Sequence, residues 1–202
     1  MQPFIAPVTL TGCHAQLEPL HTGHAQELAA AVADGELWNL WYTSAPRPEN
    51  IGAYIEAALD MRARLHAMPF VIRVMRDGKP AEVVGCTRMF NVDPANRRLE
   101  IGHTWHARSV QRTAINTECK RMLLTHAFEV LDCIAVEFRT HWLNHQSRTA
   151  IARLGAKQDG ILRNHTRMPD GSLRDTVVFS IIASEWPAVR QHLQFLLDKP
   201  RC

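Results

Sequence analysis

The spacing of apolar residues along the chain changes several times, and each change marks an element. "VTLTGCHAQLEPL" (8–20) begins with apolar–polar alternation and ends near Pro19, which reads as a strand. "HTGHAQELAAAVAD" (21–34) is Ala-rich and reads as a helix that Gly35 ends. An aromatic-dense segment, "ELWNLWY" (36–42), and a Pro-rich loop, "SAPRPEN" (44–50), follow. Ile51, Tyr54, Ile55, Ala58, Met61 and Leu65 then share one face at helical spacing, which predicts an amphipathic helix over 49–66.

Past Pro69 the period drops to two. "FVIRVMR" (70–76), "AEVVGCTRMF" (81–90) and "RRLEIGHTWH" (97–106) predict a three-strand meander whose first turn is the Asp-Gly of "DGK" (77–79). In the third strand, alternation puts Leu99, Ile101, His103 and Trp105 on one face and Arg98, Glu100, Gly102 and Thr104 on the other. A helix running to about Leu131 carries Ile115, Cys119, Met122, Leu123, Ala127 and Val130 on its inner face. "IAVEFRTH" (134–141) is a strand, and "NHQSRTAIARLG" (144–155) a helix with Asn144 as N-cap and Gly155 as its stop. "AKQDGILRNHTRM" (156–168) and "SLRDTVVFSII" (172–182) are strands around a "PDG" turn. "SEWPAVRQHLQFLLD" (184–198) is a terminal helix with Ser184 as N-cap and Pro187 in its first turn. The order β-α-α-βββ-α-β-α-ββ-α predicts an α/β (α+β) fold, a mixed sheet with helices on both faces and a right-handed β-α-β crossover. No repeat or linker divides the chain, so residues 1–202 are read as one domain.

Composition narrows the function classes. Hydrophobic content of 46% and charge of 21% are ordinary for a globular chain and exclude disorder. No apolar run approaches the roughly 20 residues of a membrane helix, and "MQPFIAPVTL" lacks the charged and apolar regions of a signal peptide. A soluble, cytoplasmic protein is the expectation. Cys13, Cys86, Cys119, Cys133 and Cys202 are scattered and never form C-x-x-C, which argues against a disulfide framework or a zinc site, so no metal is expected. The net charge of +3 is spread thinly, which points to a small anionic ligand rather than to nucleic acid or a membrane.

"SVQRTAINTE" (109–118) joins the third meander strand to the next helix. The first N–H groups of a helix lack intrahelical partners, and the macrodipole favours an anion there. Backbone N–H groups of a turn also form anion nests, usually where glycine lets the anion approach. This turn has no glycine. Arg108 and Arg112 lie within reach of a phosphate, and Thr113 or Asn116 is equally readable as an ordinary helix cap.

The order of elements, with "LEIGHTWH", "QRTAINTE", "TH-x-x-NHQS" and "RLGAKQDGILRNH", resembles the GNAT superfamily of acetyl-CoA-dependent N-acetyltransferases. The nearer match is the branch containing the ribosomal-protein N-terminal (alanine and serine) acetyltransferases. The resemblance implies a GNAT-like acyl-CoA N-acyltransferase fold, acetyl-CoA as cosubstrate, and a primary amine (a protein N-terminus or a small molecule) as acceptor. A homodimer is compatible with the family, and no sequence feature requires one. The family's turn, Gln/Arg-x-x-Gly-x-Gly/Ala, corresponds to Gln111-Arg112-Thr113-Ala114-Ile115-Asn116. By resemblance, the backbone N–H groups of Arg112, Thr113, Ala114, Ile115, Asn116 and Thr117 hold the CoA pyrophosphate. Ala114, at the glycine position, narrows the approach and disfavours positive φ. The strand around Ile101 and His103 pairs with the pantetheine arm, and Asn144 contacts it. Many members protonate the leaving thiolate with a Tyr on the helix after Asn144. Here Ile151 stands near that position, and Tyr42 and Tyr54 lie far upstream, so by resemblance to the ribosomal-protein branch Ser147 becomes the candidate acid; a hydroxyl bonded to the helix backbone is the alternative. Trp38, Trp41 and Tyr42 resemble the acceptor-site wall; a helix packed on the sheet, with Trp41 in the core, is the alternative.

Direct acetyl transfer needs a neutral amine, a polarised thioester carbonyl and a protonated leaving thiolate. Glu100 is the first candidate base, with His103 and His141 behind it. Ion pairing of Glu100 with Arg98 or Arg139 is its structural alternative. A non-catalytic sensor that binds CoA or an acyl-CoA, or an interaction domain, is the alternative to an enzyme, and the absence of the helix Tyr and the altered turn are the features that favour it.

Overall fold

The computed structural model describes residues 3–43 and 45–199; Ser44 of the Pro-rich loop and Cys202 lie outside them. Among the described residues, eight strands form one sheet in the order β1-β2-β3-β4-β5-β6-β8-β7. They are β1 (Leu10–Thr11), β2 (Ala15–Pro19), β3 (Ala67–Arg76), β4 (Lys79–Asp93), β5 (Arg98–His106), β6 (Ala135–His141), β7 (Lys157–Arg167) and β8 (Leu173–Ile182). Five α-helices accompany them: α1 (Ala25–Ala33), α2 (Ile51–Ala63), α3 (Ile115–Thr125), α4 (His145–Arg153) and α5 (Trp186–Asp198). Every strand pair is antiparallel except β5 and β6, which α3 connects. The mixed α/β architecture expected from the pattern is present. None of these helices is long and apolar enough to cross a membrane.

The predicted first strand is split. Glu118 of α3 reaches between β1 and β2 and accepts hydrogen bonds from the N–H groups of Cys13 (2.9 Å), His14 (2.6 Å) and Ala15 (2.7 Å). A side-chain carboxylate has replaced a neighbouring strand there. Gly12 is required beside it, since a Cβ would lie 2.4 Å from the Glu118 carboxyl carbon.

Two apolar layers cover the sheet. Leu99, Ile101, Val136 and Phe138 pack with Ile115, Cys119 and Leu123 of α3 and Leu193 of α5. On the other face Val71, Val83, Cys86 and Trp105 pack with Leu28 of α1 and Ile55 and Ala58 of α2. Leu99 and Trp105 therefore lie on opposite faces, contrary to simple alternation. The cause is a β-bulge: Cys86 pairs Trp105 and Arg88 pairs Gly102, so Thr87 faces both His103 and Thr104. His103 takes φ 48° there, and side-chain parity inverts beyond it.

Helix ends bring further corrections. Leu65 falls beyond α2, with φ 60° and 56% exposure. The predicted long third helix ends in a π-helical turn, His126–Val130, whose extra residue per turn buries Phe128 and leaves Val130 exposed. Asn144 caps α4 as expected, its Oδ1 accepting from Ser147 N–H at 3.0 Å. Glu185, not Ser184, occupies the N-cap of α5.

Candidate active site

β5 and β6 pair only over Arg98–Glu100 and Ala135–Glu137. Beyond Glu100 the bulge carries β5 away, and a cleft of about 840 Å³ opens between the strands. Ile101 to His106 form one wall, Phe138 to His141 the other, and the loop before α3 and the first turns of α4 close the ends. Because β6 no longer pairs there, the edge of β5 is free to pair with an extended ligand.

At the α3 end, Arg112 adopts φ 62°, and the chain turns into the helix with Ala114 at φ −67°, ψ −25°. Ala114 is thus right-handed, and the positive φ expected to suit glycine falls on Arg112. Among the described residues, the N–H groups of Arg112, Thr113, Ala114, Asn116 and Thr117 have no acceptor, and Ile115 N–H has only a long contact, 3.4 Å, to Thr113 Oγ1. The turn is pinned from outside. Gln111 Nε2 donates to the His106 carbonyl (3.2 Å), and Asp34 accepts from the Arg108 and Ser109 N–H groups. Arg112, Thr113 and Asn116 line the cleft; Ile115 and Thr117 bury their side chains, and Thr117 Oγ1 accepts from Arg153 at 2.9 Å. Asn116 does not cap α3, since its Oδ1 bonds His106 Nε2 at 3.1 Å.

Across the cleft, Asn144 and Ser147 lie at the start of α4. Asn144 uses Oδ1 for the cap and keeps Nδ2 free, and Ser147 Oγ makes no hydrogen bond among the described residues. Tyr42 lines the cleft. Trp38 instead packs on the α1–α2 layer. Trp41 is 52% exposed rather than core, and stacks edge-on against His141 at 5.1 Å.

Glu100 lies beside the main cleft, in an adjoining cavity of about 130 Å³; Arg139 lines both. Its Oε2 accepts from Asn91 Nδ2 (2.9 Å) and faces Arg139 (3.5 Å), so Arg139 is its ion-pair partner, while Arg98 pairs with Glu137. Burial raises its pKa against the opposing pull of Asn91 and Arg139. His103 is held near 4 by burial and by Arg88, and lies edge-on to Phe90. A group of that basicity is a weak proton acceptor at neutral pH, which disfavours His103 as the base. His141 is depressed by burial and by Arg174, and its Nδ1 accepts from Leu143 N–H (3.0 Å). Its proton therefore sits on Nε2, which makes it a donor.

Sequence reasoning missed His106 and Lys120. Lys120 is buried, lines the cleft, and donates to Thr87 Oγ1 (3.2 Å) and Thr104 Oγ1 (2.7 Å), with no carboxylate at ion-pair distance among the described residues. Desolvation brings it down to about 8, and burial, helped by the Lys120 charge, holds His106 near 4. The available signal was a lysine in the same helical stripe as Leu124 and Ala127.

Away from the cleft, ligating atoms of Glu18, His21 and His24 lie within 4.8 Å of one another. His24 Nδ1 accepts from His21 N–H and His21 Nδ1 from Gly23 N–H, so each neutral ring carries its proton on Nε2. Those nitrogens face Glu18 Oε1, at 3.7 Å for His21 and 3.3 Å for His24. The cluster caps the turn before α1.

The GNAT acetyltransferase domain model matches residues 15–157. The chain belongs to the GNAT acetyltransferase family. As a GNAT N-acetyltransferase it is 27% identical over 176 residues to YdaF of Bacillus subtilis, provisionally named a ribosomal N-acetyltransferase; the match covers 86% of this chain and 93% of that one. A crystal structure of a provisionally assigned acetyltransferase from T. thermophilus is 31% identical with TM-score 0.81, covering 96% of this chain and 98% of that one. Mycobacterium smegmatis RimJ, solved with CoA-disulfide, shares the fold at 23% identity, TM-score 0.79 and full coverage of both chains.

Proposed function

We propose that this GNAT protein moves the acetyl group of acetyl-CoA directly to a primary amine within a ternary complex. The observation that carries the reading is the row of N–H groups from Arg112 to Thr117 at the head of α3, acceptor-free among the described residues except for the long Ile115 contact, beside the cleft that Arg112, Thr113 and Asn116 line where β5 and β6 part. Such a row suits a pyrophosphate, and the free edge of β5 suits the amides of a pantetheine arm. The CoA-disulfide of the RimJ structure is consistent with the same use of this fold.

The residues divide the proton traffic. Glu100, made more basic by burial, takes the proton of the attacking amine through water from its side cavity. The amine nitrogen bonds to the acetyl carbon, the C–S bond breaks, and Ser147 Oγ–H passes its proton to the departing thiolate while taking one from solvent water; Glu100 returns the amine's proton to solvent. Asn144 Nδ2 and the β5 edge orient the arm, while Tyr42 and Trp41 wall the acceptor side.

Acetyl-CoA at one hundred times its Kd is expected to stabilise the fold by about 2.7 kcal/mol, a rise of roughly 5–10 °C in Tm at this chain length. CoA thiol should be released with members of an amine and peptide panel. Ser147→Ala is expected to lower kcat by about 10²- to 10³-fold with little change in the acetyl-CoA shift. No thermal shift at saturating acetyl-CoA would refute the binding assignment; a shift without turnover on any amine would leave a CoA-binding sensor.

A further inference from the structure

The acceptor half of the cleft holds more donors than acceptors. Arg98, Arg139 and Arg174 lie on one polar face of β5, β6 and β8 with Glu100 and Glu137. The two carboxylates are already engaged. Glu137 takes Arg98 and Arg139, and Glu100 takes Asn91 and Arg139. Asp175, next to Arg174 in sequence, accepts from Arg163 and from Asn164 N–H. Arg174 is left over. Its Nε donates to Thr176 Oγ1 at 3.0 Å, and among the described residues no carboxylate lies at ion-pair distance from it. It is half-buried and lines the cleft, and desolvation lowers its basicity against the smaller, longer-range pull of Glu100. A guanidinium keeps its charge regardless, so this position favours an incoming anion.

His141 adds a second open donor. It is 4% exposed, and Leu143 N–H occupies Nδ1, so Nε2 carries the proton. That Nε2 is shielded from solvent and has no hydrogen-bond partner among the described residues. A buried donor left unpaired is costly unless a ligand completes it. His141 stands directly opposite Thr176 on β8, the residue that Arg174 contacts. Trp41 packs edge-on against the imidazole and Tyr42 lies beside it.

From this juxtaposition we infer that the acceptor amine carries a carboxylate close to its nitrogen, held by the Arg174 guanidinium and His141 Nε2–H beneath Trp41 and Tyr42. The inference rests on the proposed N-acetyltransferase reading and names its substrate class. The carboxylate has two sources, the α-carboxylate of a free amino acid or the acidic side chain of a peptide's first residue.

Matched pairs test it: amino acids against their amides, and peptides beginning with Asp or Glu against those beginning with Asn or Gln. Two readouts are taken, kcat/KM from CoA thiol release and the thermal shift of the CoA-saturated protein. The acid member of at least one kind of pair is expected to win by about 10- to 100-fold, as charge-assisted hydrogen bonds allow; which kind wins identifies the source. In Arg174→Gln the acid-to-amide ratio should fall to within about threefold. His141→Phe, which keeps a ring against Trp41, should lower it in part. The acetyl-CoA thermal shift serves as the folding control for both variants. Equal handling of acid and amide in every pair, or a preference that survives Arg174→Gln, overturns the inference. Turnover without acid preference leaves the enzyme reading intact; acid-selective stabilisation without turnover does the reverse.

Discussion

Restoring the family glycine at Ala114 is expected to harm the protein rather than sharpen its cofactor site. Ala114 sits at φ −67°, ψ −25°, a conformation alanine prefers, and is 8% exposed. Replacing it with glycine adds about 0.5–1 kcal/mol of backbone entropy cost at the head of α3 and removes a buried methyl worth about 0.8 kcal/mol. The expected loss is about 1.5 kcal/mol, or roughly 3–6 °C in Tm. The N–H donors are unchanged, so acetyl-CoA affinity should stay within about threefold. Arg112→Gly is the counterpart. It relieves a left-handed residue at φ 62°, a gain of about 1 kcal/mol that glycine's extra chain entropy largely cancels. Stability should hardly move, while loss of the guanidinium should weaken acetyl-CoA binding by about tenfold at low salt. Thermal melts across an acetyl-CoA titration give both quantities. If Ala114→Gly tightened acetyl-CoA more than tenfold, the methyl would be blocking the phosphates and the argument from backbone geometry would fail.

Other predictions follow from the buried polar groups. Glu118→Ala strands three N–H groups between β1 and β2; denaturant unfolding should show a loss of about 3–5 kcal/mol, and a loss under 1 kcal/mol would mean water replaces the carboxylate. For Glu100 the folded pKa is raised. Its contribution to stability is therefore present below the ordinary carboxylate range and lost as pH rises through the folded value. Glu100→Gln should then raise Tm at pH 7–8, gain nothing in acid, and remove the acidic limb of the kcat/KM profile; an unchanged limb would exclude Glu100 as the base. His103 and His106 are both held near 4. Unfolding lets each take up a proton below its ordinary value near 6.5, so their contribution is full above that value and is lost as pH falls towards 4. Urea midpoints across this window should drop, and His106→Asn should flatten part of the drop.

The alternations and caps already carried the element order, because periods of two and 3.6 are local properties of a chain. Asp77-Gly78, with φ 50° and 73°, closes the β3–β4 turn the dipeptide announced, and Asn144 caps α4 where the sequence placed it. The row of unpaired N–H groups before α3 was legible for the same reason, since the first turn of any helix leaves N–H groups without intrahelical partners. Alternation failed at His103, because a bulge is a relation between two strands and shows only when Thr87 is seen facing both His103 and Thr104. That single extra residue inverts the face of Trp105, parts β5 from β6 and so makes the cleft. Likewise, nothing in "SLRDTVVF" sets Arg174 apart from the chain's other arginines. Its role depends on which carboxylates its neighbours have already taken, and only the pairing of β8 with β6 decides that.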